Sequence, residues 1–512
     1  MHPFVRPVHA ARMIINPSFS ELREMARQEE KTTVYGSASF ISKVRNRSAK
    51  NTYVLEGDYL GVDQNGISLE RETKLAERVQ EYLETREVIR LDRQMGQHPN
   101  FKLNCRLYIT KEYARIPFMW YNMLFDPVGE VTEPDLVSIY VPEWPERVIF
   151  VHPEAGITYI LGTDYFGEVK KSFLRMALYL WKKRCGIGFH AGSKVLRVRT
   201  AKGIVEDIGF IMFGLSGTGK TTLTIHDHGL QGEERVIIRQ DDMVMMDNSG
   251  YCYGTENGFY IKTEGLDQSQ KVLYDAATSH NAILENVKVL DDGTVLFDNS
   301  DLTSNGRCVI LRREVALTDE KIDLEKAHRI IFITRRDDIL PTVAKLNAEQ
   351  AAAYFMLGES IETSAGDPTK AGQAKREVGT NPFIIGREYY EGNKLLEILR
   401  NHPDMECYLL NTGSVGVGGI KPGLKVPIRV SANIMKHLAK GTIKWGYDPD
   451  WGYQVPVEVP EMDIAQYNPV NFFNPDDYQD RIDKLRNERI RWLAKYKGLK
   501  EEIIKAVLKE KA

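Results

Sequence analysis

An apolar run from Ile208 to Phe213 leads straight into GLSGTGKTT and then into a helix-forming segment. This strand–loop–helix order constrains the chain more than any other feature. Gly214, Leu215, Ser216, Gly217, Thr218, Gly219, Lys220, Thr221 and Thr222 contain the full G-x-x-x-x-G-K-[ST] pattern. Glycines let such a loop curl until successive backbone N–H groups point at phosphate oxygens. The helix that follows adds the positive end of its dipole. Lys220 is placed to reach β- and γ-phosphates, and the Thr221 hydroxyl to ligate Mg²⁺. A glycine-rich turn with a chance lysine is the competing reading, and the strand and helix on either side argue against it. The pattern points to a nucleoside triphosphate.

Downstream, VIIRQDD at 236–242 is an apolar strand that ends on Asp241-Asp242. Nucleotide enzymes place carboxylates at such a strand end, because Mg²⁺ and Mn²⁺ prefer hard oxygen ligands. The other reading is a solvated turn. Composition narrows the partners: 68 Lys+Arg against 71 Asp+Glu in 512 residues leaves a net charge of −3. That balance gives no electrostatic case for nucleic acid or a membrane surface as partner. No apolar run approaches the roughly 18 residues a bilayer span needs. The N-terminus lacks the basic-then-apolar order of a secretory signal. Five scattered cysteines, Cys105, Cys185, Cys252, Cys308 and Cys407, form no CxxC pair, so reduced thiols and a cytoplasmic location are expected.

The chain is long enough for two or three domains. The texture changes near Gly186, which predicts an α/β domain over 1–185 and a P-loop nucleotide- and metal-binding domain over 186–512. In the first, 53–55 and 106–109 read as strands and 69–90 as an amphipathic helix. The segments 147–151 and 157–161 read as paired strands, followed by a helix from about Lys170 to Trp181. In the second, 236–242, 259–263, 307–313, 329–334 and 407–413 read as sheet strands with functional loops at their ends. Residues 357–381 are polar, glycine-bearing and long for a connection, which suggests a lid over a closed site. Asn474-Pro475-Asp476 reads as a helix start, with Ile482, Leu485, Trp492, Leu493 and Tyr496 forming a packing face after it.

Upstream of the P-loop lie GEVKKS (167–172) and GIGFHAGSK (186–194). Alone, a single histidine is ordinarily structural and a lysine pair a solvated face. In the order GExKKS, GxGxH, P-loop and Asp-Asp strand, the chain resembles the ATP-dependent phosphoenolpyruvate carboxykinases, whose own P-loop version is GLSGTGKTTL. RNRSAKNTYVL (45–55), CRLYITKEYARIPFMWYNMLF (105–125), TYILGTDYFGEVKKS (158–172), NGFYIKT (257–263), NAILENV (281–287), SNGR (304–307), NTG (411–413) and VPVEVPEMD (455–463) follow in the family's order.

The resemblance implies a two-domain α/β fold with a P-loop-containing C-terminal domain. It also implies an activity: oxaloacetate loses CO₂, and the enolate of pyruvate takes the γ-phosphate of ATP, with Mn²⁺ and Mg²⁺ as metals and no protein nucleophile. Arg47 and Arg307 would hold the carboxylate and phosphate ends of the substrate, and Tyr165 would sit against it. Lys171, His190 and Asp242 would bind the transition metal, which requires a neutral Lys171. Lys170 would face the transferring phosphoryl group and Lys262 would lie near the γ-phosphate. Lys425 and Ser431 fall where the family has an arginine and a threonine near base and ribose. The implied partners are oxaloacetate, phosphoenolpyruvate and CO₂, with a monomer or small homo-oligomer.

Several positions depart from the family pattern. Arg45-Asn46-Arg47 stands for Thr-Gly-Arg, and Ala49 for a proline. Gln240 stands for the glycine before the aspartates, and Met243-Val244 for Glu-His after them. AGSK follows the metal histidine in place of Cys-Ser-Ala-Asn, and GVGGIKPGLKVPIR at 416–429 carries an insertion. A kinase on this scaffold acting on another small molecule or protein, and a non-catalytic nucleotide sensor, are the alternative readings.

Overall fold

The computed structural model describes residues 7–57, 60–215, 217–361 and 373–508. The chain divides into two compact units. One takes the chain through Arg184, then Gly254–Thr318 and Phe383–Gly386. The other takes Cys185–Tyr253, Asp319–Pro382 and the chain from Arg387. Residues 254–318 and 383–386, expected in a continuous domain over 186–512, thus belong to the first unit. Strand pairing is the reason. Gly258–Lys262 and Ile283–Glu285 both pair antiparallel with Arg307–Leu311, and Ile283–Glu285 pairs parallel with Ala38–Phe40. A local apolar pattern marks a strand without naming its partner.

In the first unit an eight-stranded mixed sheet has the order Arg12–Ile15, Glu87–His98, Phe101–Thr110, Leu136–Val141, Ile157–Leu161, Val148–His152, Thr52–Leu55, Gly66–Ile67. The helix Leu69–Leu83 starts on Ser68, whose hydroxyl accepts the Arg71 N–H. Its Leu75, Val79 and Leu83 pack with Val137, Ile139, Tyr159 and Leu161 of the sheet. The helix expected over 69–90 therefore stops early. Glu87–His98 is a strand paired with Phe101–Thr110, and its crowded apolar residues Val88, Ile89 and Leu91 suit either period. Ser138 alternates with Val137 and Ile139, so it faces the other side of the sheet, where its hydroxyl meets Ser172 at 2.8 Å. That places the long helix Phe166–Lys183 on the opposite face. It begins before Lys170 because the Glu285 carboxylate accepts the Phe166 N–H at 2.9 Å, a cap supplied from another strand.

The second unit is built on a sheet of order Arg235–Asp241, Ala191–Arg199, Val205–Phe213, Arg329–Thr334, Glu406–Asn411, Val343–Leu346, Tyr453–Glu458, Lys444–Asp448. Val205–Phe213, Arg329–Thr334 and Glu406–Asn411 are mutually parallel. Their carboxyl ends, where open α/β sheets bind ligands, carry the P-loop, Arg335-Arg336 and Thr412-Gly413. The C-terminal helix Pro475–Leu493 follows Asn474, with Pro475 at its first position. Ile482, Leu485, Leu493 and Tyr496 are buried as expected, and the Trp492 indole N–H donates to the Met356 carbonyl at 2.9 Å. In the segment 357–381, Leu357 ends a helix and Glu359–Ile361 pairs antiparallel with Ala374–Arg376. The expected lid at 362–372 lies outside the described residues. No described helix is long and apolar enough to cross a membrane. None of the five cysteines is paired with another, and Cys185 alone is exposed.

Candidate active site

In the second unit the loop after Phe213 turns through Gly217 (φ 82°) and Gly219 (φ 91°), left-handed conformations that favour glycine. A Cβ on Gly214 would come within 2.4 Å of the Thr218 hydroxyl, so the sequence pattern is a packing requirement as well as a binding one. Neighbouring strand ends fasten the loop. The Arg335 guanidinium donates to the Gly217 carbonyl at 3.1 Å, and the Thr412 hydroxyl to the Thr218 carbonyl at 2.7 Å. The short helix Lys220–Ile225 follows. Beneath it the buried Lys194 donates to the Leu223 and His226 carbonyls and to His228 Nε2. His228 Nδ1 in turn donates to the Ala432 carbonyl at 2.9 Å. A cation at a helix C-terminus complements the dipole, while burial pushes the Lys194 ammonium well below its ordinary range.

The two aspartates divide their work. The Thr221 hydroxyl donates to Asp241 Oδ2 at 3.1 Å. Asp241 Oδ1 is buried and accepts no hydrogen bond, while Lys220 Nζ stands 3.8 Å from it and 4.0 Å from Asp242 Oδ1. Asp242 faces His190, with Nε2 to Oδ1 at 3.0 Å. It adopts φ 141°, a conformation costing about 1–3 kcal/mol for a residue with a side chain. Reciprocal backbone hydrogen bonds with Ala191, at 3.1 and 3.3 Å, hold it there. His190 Nδ1 lies 2.8 Å from the Thr380 carbonyl. A carbonyl only accepts, so Nδ1 carries the proton and Nε2 is turned on a carboxylate. That pairing is satisfied by a cation on Nε2, either a proton or a metal.

In the first unit the segment bearing Arg47 is held by carboxylates. Asp164 accepts the Lys43 and Val44 N–H groups at 2.9 and 2.8 Å and is itself gripped by the fully buried Arg115 at 2.8 Å. Glu168 accepts the Ser48 N–H. Tyr165 is 2% exposed. Gly167 makes room for it, since a Cβ there would lie 2.4 Å from the ring. Its hydroxyl accepts from Asn305 Nδ2 at 3.1 Å, and Asn305 Oδ1 accepts from Arg307 at 2.8 and 3.2 Å. Tyr165, Asn305 and Arg307 therefore form one hydrogen-bonded row. Lys170 is buried and pairs with Glu256 at 2.9 Å. Arg47 and Lys171 both lie over the Phe383 ring, 4.4 and 4.6 Å from its centroid.

The chain matches the family model described as phosphoenolpyruvate carboxykinase over residues 11–465. It belongs to the phosphoenolpyruvate carboxykinase family. Among its relatives, a phosphoenolpyruvate carboxykinase (ATP) of Aeropyrum pernix is 35% identical over 388 residues, 75% of this chain and 76% of the relative. One of Methylobacterium sp. is 27% identical over 492 residues, 90% of this chain and 87% of the relative. One of Rhizobium rhizogenes is 28% identical over 384 residues, 70% and 68% of the two chains.

Within this carboxykinase chain the remaining expected residues fall on both units. Ser216 lies outside the described residues. Gly214, Leu215, Gly217, Thr218, Gly219, Lys220, Thr221 and Thr222 lie together at the P-loop. Lys262 ends a strand of the first unit and pairs with Glu264 at 2.9 Å. Lys425 is exposed on the short strand Leu424–Lys425, while Ser431 is buried in the helix Ile428–Lys440 with a hydroxyl that makes no hydrogen bond. Among the described residues no group of three or more His, Cys, Asp or Glu is gathered as a metal site. Sequence reasoning missed Asn305, Thr412, Arg335 and Lys194. Lys194 carried a signal: it shares the period-2 face of Leu196 and Val198, where a lysine is out of place unless its ammonium is satisfied internally.

Proposed function

We propose that this chain is an ATP-dependent phosphoenolpyruvate carboxykinase, converting oxaloacetate and ATP reversibly to phosphoenolpyruvate, CO₂ and ADP. Family membership carries the reaction. The observation that carries its placement is the convergence of Lys220, Thr221, Asp241, Asp242 and His190 at the carboxyl ends of the second unit's strands. We assign mononucleotide binding to that unit. The N–H groups of the loop from Gly214 to Thr222 cradle the phosphates, and Lys220 neutralises charge on the β- and γ-phosphates. Lys425 and Ser431 lie toward ribose and base.

The residues fit a divalent cation. His190 has its Nδ1 proton fixed and Nε2 directed at Asp242, and Asp241 has a buried oxygen without a hydrogen bond. We assign Mn²⁺ to His190 and Asp242 with Lys171 as the third ligand, and Mg²⁺ to Thr221. When bound, these ions supply Lewis acidity toward the carbonyl oxygen and the phosphates. Arg47 and Arg307 orient the anionic ends of the substrate through planar guanidinium forks. Tyr165 and Asn305 set the Arg307 fork in place, and Lys170 and Lys262 add positive charge toward the transferring group. As the C–C bond to the leaving carboxylate breaks, its electron pair becomes the enolate, whose oxygen attacks the γ-phosphate.

A donor and metal screen tests this reading: CO₂ release and phosphoenolpyruvate formation with ATP, GTP or pyrophosphate, each with Mn²⁺ or Mg²⁺. Release with ATP and Mn²⁺ is expected. Tight ATP binding with no CO₂ release under any combination would overturn the reaction and leave a kinase of another acceptor.

A further inference from the structure

Arg175 lies one helical turn beyond Lys171 on the long helix Phe166–Lys183, and nothing in the reaction described above uses it. It is 5% exposed. Its guanidinium makes no hydrogen bond or ion pair among the described residues; its one close partner is the Phe383 ring, 5.9 Å away. Arg47 and Lys171 lie over the same ring, so two guanidinium groups and a lysine converge on one phenyl group. That ring is delivered by a short strap, Phe383–Gly386, tied into the first unit at both ends. Gln64 Nε2 donates to the Ile384 and Gly386 carbonyls at 3.1 and 3.0 Å, and Lys182 Nζ to the Ile385 carbonyl at 2.9 Å.

Burial pulls the Arg175 guanidinium down to about 10, with the Glu168 charge opposing and the Arg47 charge adding to the fall. Glu168, the one carboxylate acting on it, already accepts the Ser48 N–H. The Arg47 and Arg175 guanidinium groups keep their charge and share one ring, and a buried charge with no hydrogen-bonded counter-charge is costly. Such a cluster is relieved by an anion. Oxaloacetate differs from pyruvate by a second carboxylate.

We propose that Arg175 is a substrate-binding residue that, with Arg47, takes a carboxylate of the dicarboxylate substrate and so selects dicarboxylates over monocarboxylates. This rests on the carboxykinase reading, because the substrate class comes from it. Malate and lactate differ by the same carboxylate and do not react, so their relative affinity measures the selection.

The experiment is titration calorimetry of malate and of lactate into the full chain with ATP and Mn²⁺ present, for wild type, Arg175→Met and Arg175→Lys. A charge-assisted pair corresponds to roughly a 10- to 100-fold preference for malate in wild type. Arg175→Met should reduce that preference to within a few-fold of unity while ATP affinity stays unchanged. Arg175→Lys should fall between, because it keeps the charge and loses the fork. If Arg175→Met does not fold, the lysine variant decides, and a preference at least fivefold below wild type is expected of it. A wild-type preference for malate retained in either variant overturns the proposal, as does a wild type that binds both acids equally. Carboxykinase turnover in wild type is measured separately. Its absence with an Arg175-dependent malate preference would remove the reaction and leave the site, and normal turnover with no such dependence would do the reverse.

Discussion

Two buried arginines, one in each unit, show how differently the chain treats the same charge. Arg489, on the C-terminal helix, donates to both oxygens of the buried Glu359 and to the Tyr453 hydroxyl at 3.2 Å. Arg376 adds a second contact to Glu359 at 3.3 Å. Every charge there has a partner within the protein. Arg175 has the Phe383 ring, shared with Arg47 and Lys171, for company. A self-satisfied ion pair holds a fold, whereas a guanidinium left without its anion is a binding group whose counter-charge comes with the ligand. At the P-loop end of the second unit the signs are mixed: Lys220 stands 3.8 Å from Asp241 and 4.0 Å from Asp242.

The contrast can be tested, beginning where the effect is greatest. Lys220→Ala should lower phosphoryl transfer by roughly 10³-fold or more, because the loop loses the ammonium that neutralises charge on the β- and γ-phosphates; single-turnover formation of phosphoenolpyruvate measures it. Near wild-type turnover would remove the nucleotide assignment. Glu359→Gln leaves Arg489 buried without a carboxylate and should cost about 3–5 kcal/mol of stability in urea unfolding. Arg175→Met, which removes a charge with no partner, should cost nothing by the same measurement or add stability. Equal losses in the two variants would erase the distinction drawn between the two arginines.

Arg47→Gln should lower kcat/KM for oxaloacetate by roughly 10²-fold, since a bound carboxylate loses its charged fork, with ATP affinity measured on the same sample unchanged. His190→Ala should weaken Mn²⁺ binding, read by electron paramagnetic resonance, by roughly 10-fold or more. Unchanged affinity would make the histidine a structural partner of Asp242. The smallest effect is on pH dependence. Burial alone would raise the Glu359 carboxyl, but the charge and hydrogen bonds of Arg489, with Arg336 and Arg376, hold it at about 2. A carboxyl whose folded pKa is depressed adds stability above its unfolded pKa and loses it as pH falls through the folded one. Wild type should therefore lose more stability than Glu359→Gln between about pH 5 and pH 3, by no more than ~1.4 kcal/mol per pH unit for a single proton.

What the sequence determined by itself was whatever is encoded in contiguous residues. The P-loop was legible because its glycines, lysine and threonine are adjacent in the chain and their conformations are local, as the left-handed Gly217 and Gly219 show. The Asp241-Asp242 strand end and the C-terminal helix with its Asn474 start were legible for the same reason. The ordered short motifs were enough to place the family. The tertiary structure decided what depends on which distant residue arrives. Arg307–Leu311 reads as a strand in isolation, and only its pairing with Gly258–Lys262 and Ile283–Glu285 carries it into the first unit. The long helix starts at Phe166 because Glu285 caps it from 119 positions away. Asp241 and Asp242 are neighbours whose different tasks come from Thr221 and His190. The Arg175 cluster exists only because a strap from residue 383 sets a ring beside the helix. Backbone preference and side-chain period act over a few residues, whereas a counter-charge, a cap or a ring comes from wherever the chain returns.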